Sequence, residues 1–360
     1  MKDKLNRIKK LVEKKRIDLL LLSTEPNIRY LTDQYKLNCL IAIPNKTESF
    51  ILTSVTGKTR LEKSDFEVFS VSSTLEADIR SKTYFKALKK VIKTKDLKIK
   101  KLGYEKNILP YGSFERIKKQ FKCKIIDISD EISKIRSIKN PEEIKRLEVA
   151  ASIVSKAMKI TKEIIKEGLT ERELALIIEQ VIREKSDWYS FETIVASGPN
   201  SAFIHHMPTD RKIRKNDLIV VDCGAIYKNY CSDITRTFCL KPNEKTNNIY
   251  KKVLETQELV LKKIKLNTKA KTLHNLAKKT MEKSGYQLFH AIGHGVGIEI
   301  HEEPSISYDS KSILKPNMIF TIEPGIYLRG FGGVRIEDMI LLTKKGIKVL
   351  TKVPRGLNES

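Results

Sequence analysis

Residues 4 to 17 repeat apolar positions at helical spacing, with Leu5, Ile8, Leu11 and Val12 on one face, and predict an amphipathic helix. The apolar stretch from Asp18 to Ser23 then reads as a buried strand. Leu40 to Pro44 and Ser49 to Thr53 predict a pair of strands around the polar turn Asn45 to Glu48. A lysine-studded helix near Thr83 to Ile92 and short strands near Ile99 and Ile125 complete an alternating α/β half that ends near Asp130. No stretch of this half assembles a cluster of catalytic residues.

The pattern changes after that point. Asn140 is placed as an N-cap, Pro141 as the first helical residue, and Gly168 follows the periodic run. Thr170-Glu171-Arg172-Glu173 is a capping box, so a second helix starts at once and runs to about Lys185. Further helices are predicted near Thr246 to Ile264 and Thr272 to Lys283, the latter ended by Gly285. Strand-like segments lie between and after them, at Phe191 to Ala196, Leu218 to Tyr227, Tyr230 to Phe238, Met318 to Ile322 and Gly333 to Leu342. Helix pairs alternating with hairpins predict an α+β domain with helices packed on a curved antiparallel sheet. With 360 residues, the expectation is two domains, at 1–130 and 131–360, each able to bury its own core.

Composition narrows the function classes. Apolar residues are 40% and charged residues 31%, as in an ordinary globular chain rather than a disordered or fibrous one. The apolar run near the start, Leu19 to Leu22, is far short of the roughly 20 residues that span a bilayer. The basic N-terminus lacks the apolar core of a secretion signal, so a cytoplasmic protein is expected. The 69 Lys and Arg against 44 Asp and Glu give a net charge of +25. Their dispersal, without interleaved aromatics, argues for a solvated lysine-rich surface rather than a nucleic-acid site. Five cysteines form no CxxC pair, and Cys223, Cys231 and Cys239 sit in strand-like apolar sequence as small core residues.

Four segments of the second half place acids or histidine where apolar residues would otherwise be preferred. In Ile219-Val220-Val221-Asp222, an acid follows three β-branched residues, costly unless its charge is paired or metal-bound. Asp233 follows eleven residues later. A two-residue turn at Lys228-Asn229 makes the two carboxylates diagonal neighbours on one face, about 7–8 Å apart. Two metals about 3.5–4 Å apart would fit between them. Gly293-His294-Gly295-Val296-Gly297 presents an imidazole in a glycine loop expected to turn tightly and approach its neighbours closely. Glu323 ends an apolar strand before Pro324-Gly325, and Glu337 lies in the β-branched segment Val334-Arg335-Ile336-Glu337-Asp338. The turn at Gly330-Phe331-Gly332-Gly333 is expected to bring Glu337 back beside Glu323. Four carboxylates and one imidazole suit Mn²⁺, Co²⁺, Zn²⁺ or Fe²⁺ in a binuclear site, and such acids would repel one another without cations.

Asp-Cys-Gly-Ala at 222–225, Ser-Asp-Ile-Thr-Arg-Thr at 232–237, Gly-His-Gly-Val-Gly at 293–297, Glu-Pro-Gly at 323–325 and Val-Arg-Ile-Glu-Asp at 334–338 follow one another in order. Through these motifs the chain resembles the pita-bread metallopeptidase family, and within it the prolidase and aminopeptidase P branches. The opening helix and strand and Asn27-Ile28-Arg29-Tyr30-Leu31 resemble a creatinase-type N-terminal domain more loosely. The resemblance implies an α+β fold with a C-terminal pita-bread domain and a smaller α/β domain before it. It implies that Asp222 binds one metal, His294 and Glu323 the other, and that Asp233 and Glu337 bridge both. Glu323 doubles as general base. His205 matches one outer histidine, with the adjacent His206 in reserve, and His301 matches the other. Arg335 is implied to orient Glu337.

The expected activity is hydrolysis of the bond between an N-terminal residue and proline, in a small proline-containing peptide, by a homodimer carrying two divalent ions, Mn²⁺ or Co²⁺ before Zn²⁺ or Fe²⁺. That bond is a tertiary amide whose nitrogen has no hydrogen to donate, so general peptidases handle it poorly. The short chain, without insertions, favours a dipeptidase over an aminopeptidase acting on longer peptides. A non-catalytic binding protein of the same fold is the rival class, but it would show eroded ligand positions, and none is missing.

Overall fold

The computed structural model describes residues 2–74, 76–106 and 111–357. The chain divides into two compact units, Met1–Ile135 and Arg136–Ser360. The first opens with α1 (Lys2–Lys15), whose Leu5, Ile8, Leu11 and Val12 are buried as the periodicity predicts. It continues with β1 (Leu19–Leu22), α2 (Glu25–Thr32), β2 (Cys39–Pro44), β3 (Phe50–Thr53), α3 (Val55–Thr59), β4 (Glu67–Ser72) and β5 (Ile79–Arg80). Then come α4 (Tyr84–Thr94), β6 (Lys101–Tyr104), α5 (Tyr111–Phe121), β7 (Lys124–Asp127) and α6 (Ser129–Ser137), which crosses into the second unit. The strands form one seven-stranded sheet in the order β5-β4-β3-β2-β1-β6-β7, with antiparallel pairs around β2 and parallel pairs outside them. The Asn27 segment lies in α2, where Asn27 and Thr24 donate to the buried carboxylate of Glu105.

The second unit starts with α7 (Pro141–Ile164) and α8 (Glu171–Arg183), both closed at the N-terminus by capping boxes, at Asn140 with Glu143 and Thr170 with Glu173. It continues with β8 (Trp188–Tyr189), β9 (Ile194–Ser197), a 3-10 turn at Gly198–Ala202, β10 (Ile219–Cys223), β11 (Ala225–Tyr227), β12 (Tyr230–Cys231) and β13 (Ile234–Phe238). After α9 (Glu244–Lys263) and α10 (Ala270–Lys283) come β14 (Ile319–Ile322), β15 (Gly325–Leu328), β16 (Gly332–Arg335), β17 (Asp338–Thr343) and β18 (Gly346–Val349). Two helix pairs cover two layers of strand. Val154, Met158, Leu174 and Ile178 of α7 and α8 bury against Val195, Ile219, Val221 and Ile234. Val260, Leu273 and Ala277 of α9 and α10 bury against Phe320, Ile322 and Ile340. This is the α+β arrangement that the alternation of helices and hairpins predicts.

Three expectations are corrected. The strand-like runs 218–227, 230–238 and 333–342 are each interrupted, at Gly224, at Ser232-Asp233 and at Ile336-Glu337. Asp222 is therefore the one acid of the four that lies inside a strand; the others sit where strands end and change sheets. Charged side chains leave a ladder most easily where the backbone is already released from it. Short strands Gly325–Leu328 and Gly346–Val349 went unpredicted, since neither shows an apolar alternation long enough to register. No disulfide joins the five cysteines; Cys223, Cys231 and Cys239 are buried, as expected of core residues.

Candidate metal centre

The first two acids are placed by one hairpin. Lys228 and Asn229 both take left-handed backbone, with φ of 45° and 72°, so a two-residue turn joins β11 to β12 with Tyr227 opposite Tyr230. The same register continues into the longer strands, where Asp222 faces Thr235. Asp233, two residues before Thr235, is thereby the diagonal neighbour of Asp222. Between the two pairings the chain passes Gly224, where a side chain would meet the Ser232 carbonyl at 2.2 Å. Only glycine fits there.

The second two acids rise from a gap between sheets. Strands β14 and β17 pair up to Ile322 opposite Asp338, and β15 and β16 resume at Gly325 opposite Arg335. Glu323-Pro324 and Ile336-Glu337 lie in between. Their amides turn to other partners, Glu323 N–H donating to Ile292 O at 2.8 Å and Glu337 N–H to Thr235 O at 3.1 Å. His294 arrives on a loop held against β14, its N–H donating to Thr321 Oγ1 at 3.1 Å and its carbonyl accepting from Thr321 N–H at 2.8 Å. A Cβ at Gly293 would stand 2.0 Å from the Thr321 carbonyl. Gly293 thus serves the close approach expected of this loop, against the strand, while Gly295 and Gly297 lie as close to Glu303 and Glu302.

One cavity of about 230 Å³ is lined by Asp222, Asp233, His294, Glu323 and Glu337 together with His205, His206, His301 and Arg335. Asp233, His294 and Glu337 each offer a ligand atom within 4.8 Å of the others. His294 Nε2 lies 3.3 Å from Glu323 Oε1 and 3.5 Å from Asp233 Oδ2. His301 stands against His294, with ring centroids 4.2 Å apart. The two adjacent histidines divide. His206 Nε2 is 2.9 Å from Glu171, a fully buried carboxylate that also accepts from Ser197, Asn200 and Thr209. His206 therefore fixes the loop, and His205 is the one left more exposed to the cavity.

Arg335 reaches Glu337 through Thr235 and bonds Asp222 directly. Its Nη2 donates to Asp222 Oδ2 at 2.7 Å and its Nε to Thr235 Oγ1 at 3.1 Å; the Thr235 hydroxyl then donates to Glu337 Oε2 at 2.7 Å. Its Nη1 also donates to the Tyr327 hydroxyl at 3.0 Å, which is 3.1 Å from His290 Nε2. His290, Tyr327 and Glu171 are site residues that the sequence reading missed. A histidine four positions before His294 was the available signal for the first; the others gave none.

The electrostatics are those of an anionic cluster that Arg335 counters only in part. Burial, then Glu337 and Asp222, push the Asp233 carboxyl well above its usual range. Burial, then Glu323 and Asp222, do the same to Glu337, and burial raises Glu323. Burial lowers His290 and His294, and burial with the two neighbouring histidines brings His301 down to about 4. Asp222 Oδ1, Asp233 Oδ1 and Glu337 Oε1 are buried with no hydrogen-bond partner among the described residues. Three orphaned carboxylate oxygens lining one cavity with an imidazole fit divalent cations, which would satisfy oxygens that no protein donor among the described residues reaches.

Similarity to known proteins decides what kind of centre this is. Residues 145–344 match Metallopeptidase family M24, and residues 4–138 match the Creatinase/Prolidase N-terminal domain. The chain belongs to metallopeptidase family M24. It is 37% identical over 364 residues to the Xaa-Pro dipeptidase of Pyrococcus horikoshii, covering 99% of each chain. Among solved structures, the Xaa-Pro dipeptidase from Bacillus anthracis is 33% identical with a TM-score of 0.90, over 99% of this chain and 98% of that one. The X-Pro aminopeptidase from Thermotoga maritima is also 33% identical, with a TM-score of 0.85 over 96% and 100%. As an M24 member the protein is a metallopeptidase, and the family implies divalent metal ions at its centre. No helix among the described residues is long and apolar enough to cross a membrane.

Proposed function

We propose that this M24 enzyme hydrolyses the bond between an N-terminal residue and proline, using two divalent ions held by Asp222, Asp233, His294, Glu323 and Glu337. The observation that carries the reading is the cluster of Asp233, His294 and Glu337, each offering a ligand atom within 4.8 Å of the others, in one cavity with Asp222 and Glu323, where Asp222 Oδ1, Asp233 Oδ1 and Glu337 Oε1 have no donor among the described residues. Four carboxylates also balance the formal charge of two divalent cations. Asp222 is assigned to one ion, His294 and Glu323 to the other, and Asp233 and Glu337 to both. Mn²⁺ and Co²⁺ suit this oxygen-rich set best, ahead of Zn²⁺ and Fe²⁺. When bound, such ions acidify water and polarise a carbonyl oxygen.

The chain's own groups do the rest. Glu323, with its carboxyl raised by burial, takes the proton of the attacking water. His301, held neutral by its low pKa, can donate an N–H to the developing oxyanion, as can His205 at the cavity wall. Arg335 orients Asp222 through its 2.7 Å bond. None of these steps uses a hydrogen on the scissile nitrogen, which is what an Xaa-Pro bond demands. Catalysis is assigned to the second unit alone. The protein is read as a homodimer, on the family resemblance, and as cytoplasmic, on five cysteines that form no disulfide.

Relatives named for both dipeptidase and aminopeptidase activity match at similar identity. Full-length likeness to the Pyrococcus dipeptidase supports the dipeptidase reading. Incubating the Mn²⁺- or Co²⁺-loaded protein with Xaa-Pro and with Xaa-Pro-Yaa, and measuring release of the first amino acid, tests it. Release from Xaa-Pro alone is expected. Cleavage of the tripeptide at equal rate makes it an aminopeptidase, and cleavage of neither returns it to the binding-protein class.

A further inference from the structure

We infer that Gln257 is a positioning residue for the metal centre, its carboxamide tying together the two backbone segments that present Glu323 and Glu337. The inference rests on the metal-centre reading above. Helix α9 packs against β14, β15 and β16, and Gln257 on it is fully buried. Its Nε2 lies 3.1 Å from each of three acceptors, Ile322 O, Ile336 O and Asp338 Oδ2. All three can only accept, so the amide nitrogen and not its oxygen faces them. Ile322 and Ile336 are the residues immediately before Glu323 and Glu337.

The contact falls where the strands need it. Backbone pairing stops at Ile322–Asp338 and resumes at Gly325–Arg335, so the two acids stand on segments outside any ladder. Two buried carboxylates facing one another across that gap push it open whenever cation charge is incomplete. A donor shared between the two preceding carbonyls limits the separation. The third acceptor anchors the clamp, because Asp338 is itself held by Arg236 Nη2 at 2.8 Å, Thr351 Oγ1 at 2.7 Å and Arg355 Nε at 2.6 Å. Gln257 touches neither substrate nor ligand atoms; it acts through the backbone.

The test uses the full chain stripped of metal, titrated with Co²⁺ and followed by absorption and calorimetry, for the parent, Gln257→Met and Gln257→Asn. Methionine keeps the volume and removes the donor; asparagine keeps the amide one methylene short. The weaker cobalt site is expected to lose about 10–100-fold in affinity in Gln257→Met, as for other outer partners of metal ligands, with an altered ligand-field band. On the cobalt-loaded enzyme kcat should fall while KM stays within about twofold, the pattern of a misplaced catalytic centre. Unchanged cobalt affinity and spectrum in the variants overturn the proposal, as does a lowered Tm of the stripped protein with metal binding intact. If Gln257→Met fails to fold, Gln257→Asn carries the same comparison, and failure of both shows a purely structural residue and also overturns it. A parent that binds no cobalt overturns the metal-centre reading itself, an outcome distinct from variants that bind like the parent.

Discussion

Glu323 shows how much one carboxylate is asked to do. Its Oε1 is 3.3 Å from both His294 Nε2 and the Thr321 hydroxyl, and burial raises its pKa. Glu323→Gln keeps the shape and one liganding oxygen but removes the proton acceptor. We expect it to retain most of its metal, read by elemental analysis, while kcat falls by about 10²–10⁴, the usual worth of a general base. A variant with near-parental turnover would take the base role from Glu323. The four acids proposed as ligands were legible because acids beside β-branched residues contradict local preference, and such contradictions mark functional sites, while His294 was legible from its glycine loop. His290 and Tyr327 contradict nothing locally. Their membership comes from one hydrogen-bond chain through Arg335 that no sequence interval reports.

Between residue and fold stands the loop from Gly293 to Glu303, which carries His294 and His301. Its far end is pinned by Glu302, whose oxygens meet Lys139 at 2.7 Å and Arg136 at 2.8 Å, while Arg136 also reaches Glu299 at 2.6 Å. Burial opposes ionisation of Glu302, but the Lys139 and Arg136 charges outweigh it and hold the carboxyl below its usual range. Removing one partner of a buried pair costs about 3–5 kcal/mol, so Lys139→Met should lower urea stability by roughly that amount. The folded pKa lies below the unfolded one, so this stabilisation is complete above about pH 4.3 and fades as pH falls through the folded value. Urea titrations of parent and variant should therefore converge at acid pH, and a constant gap would remove Glu302 as the cause. The hairpin at Lys228-Asn229 was readable, since its turn residues and register lie within a dozen positions. The pinning of the loop was not, because its partners are more than 160 residues apart.

At the scale of the molecule, the centre is a store of unfavourable charge that cations relieve. Binding stabilises the folded state by about 2.7 kcal/mol when ligand exceeds Kd a hundredfold, so stripping the metal should lower Tm by about 5–10 °C. The stripped protein should also respond to pH in a defined direction. Asp233, Glu323 and Glu337 have folded pKa values above their unfolded ones, so they cost stability as pH rises through the folded values. The lowered histidines act oppositely, but only below their unfolded pKa of about 6.5. The Tm gained on cation loading should thus widen as pH rises above the unfolded carboxylate values of about 4, because the stripped protein loses stability as its buried carboxyls ionise; scanning calorimetry of both forms checks it, and parallel curves would refute it. Periodicity, caps and turn residues alone determined the helix pairs, the hairpins and the identity of the acids, because each depends on neighbours a few positions away. Only the tertiary structure decided that Glu171 holds His206, that Arg335 holds Asp222, and that strands break where three of the four acids emerge. Those outcomes are set by which distant backbone arrives within 3 Å, and a linear pattern carries no record of that distance.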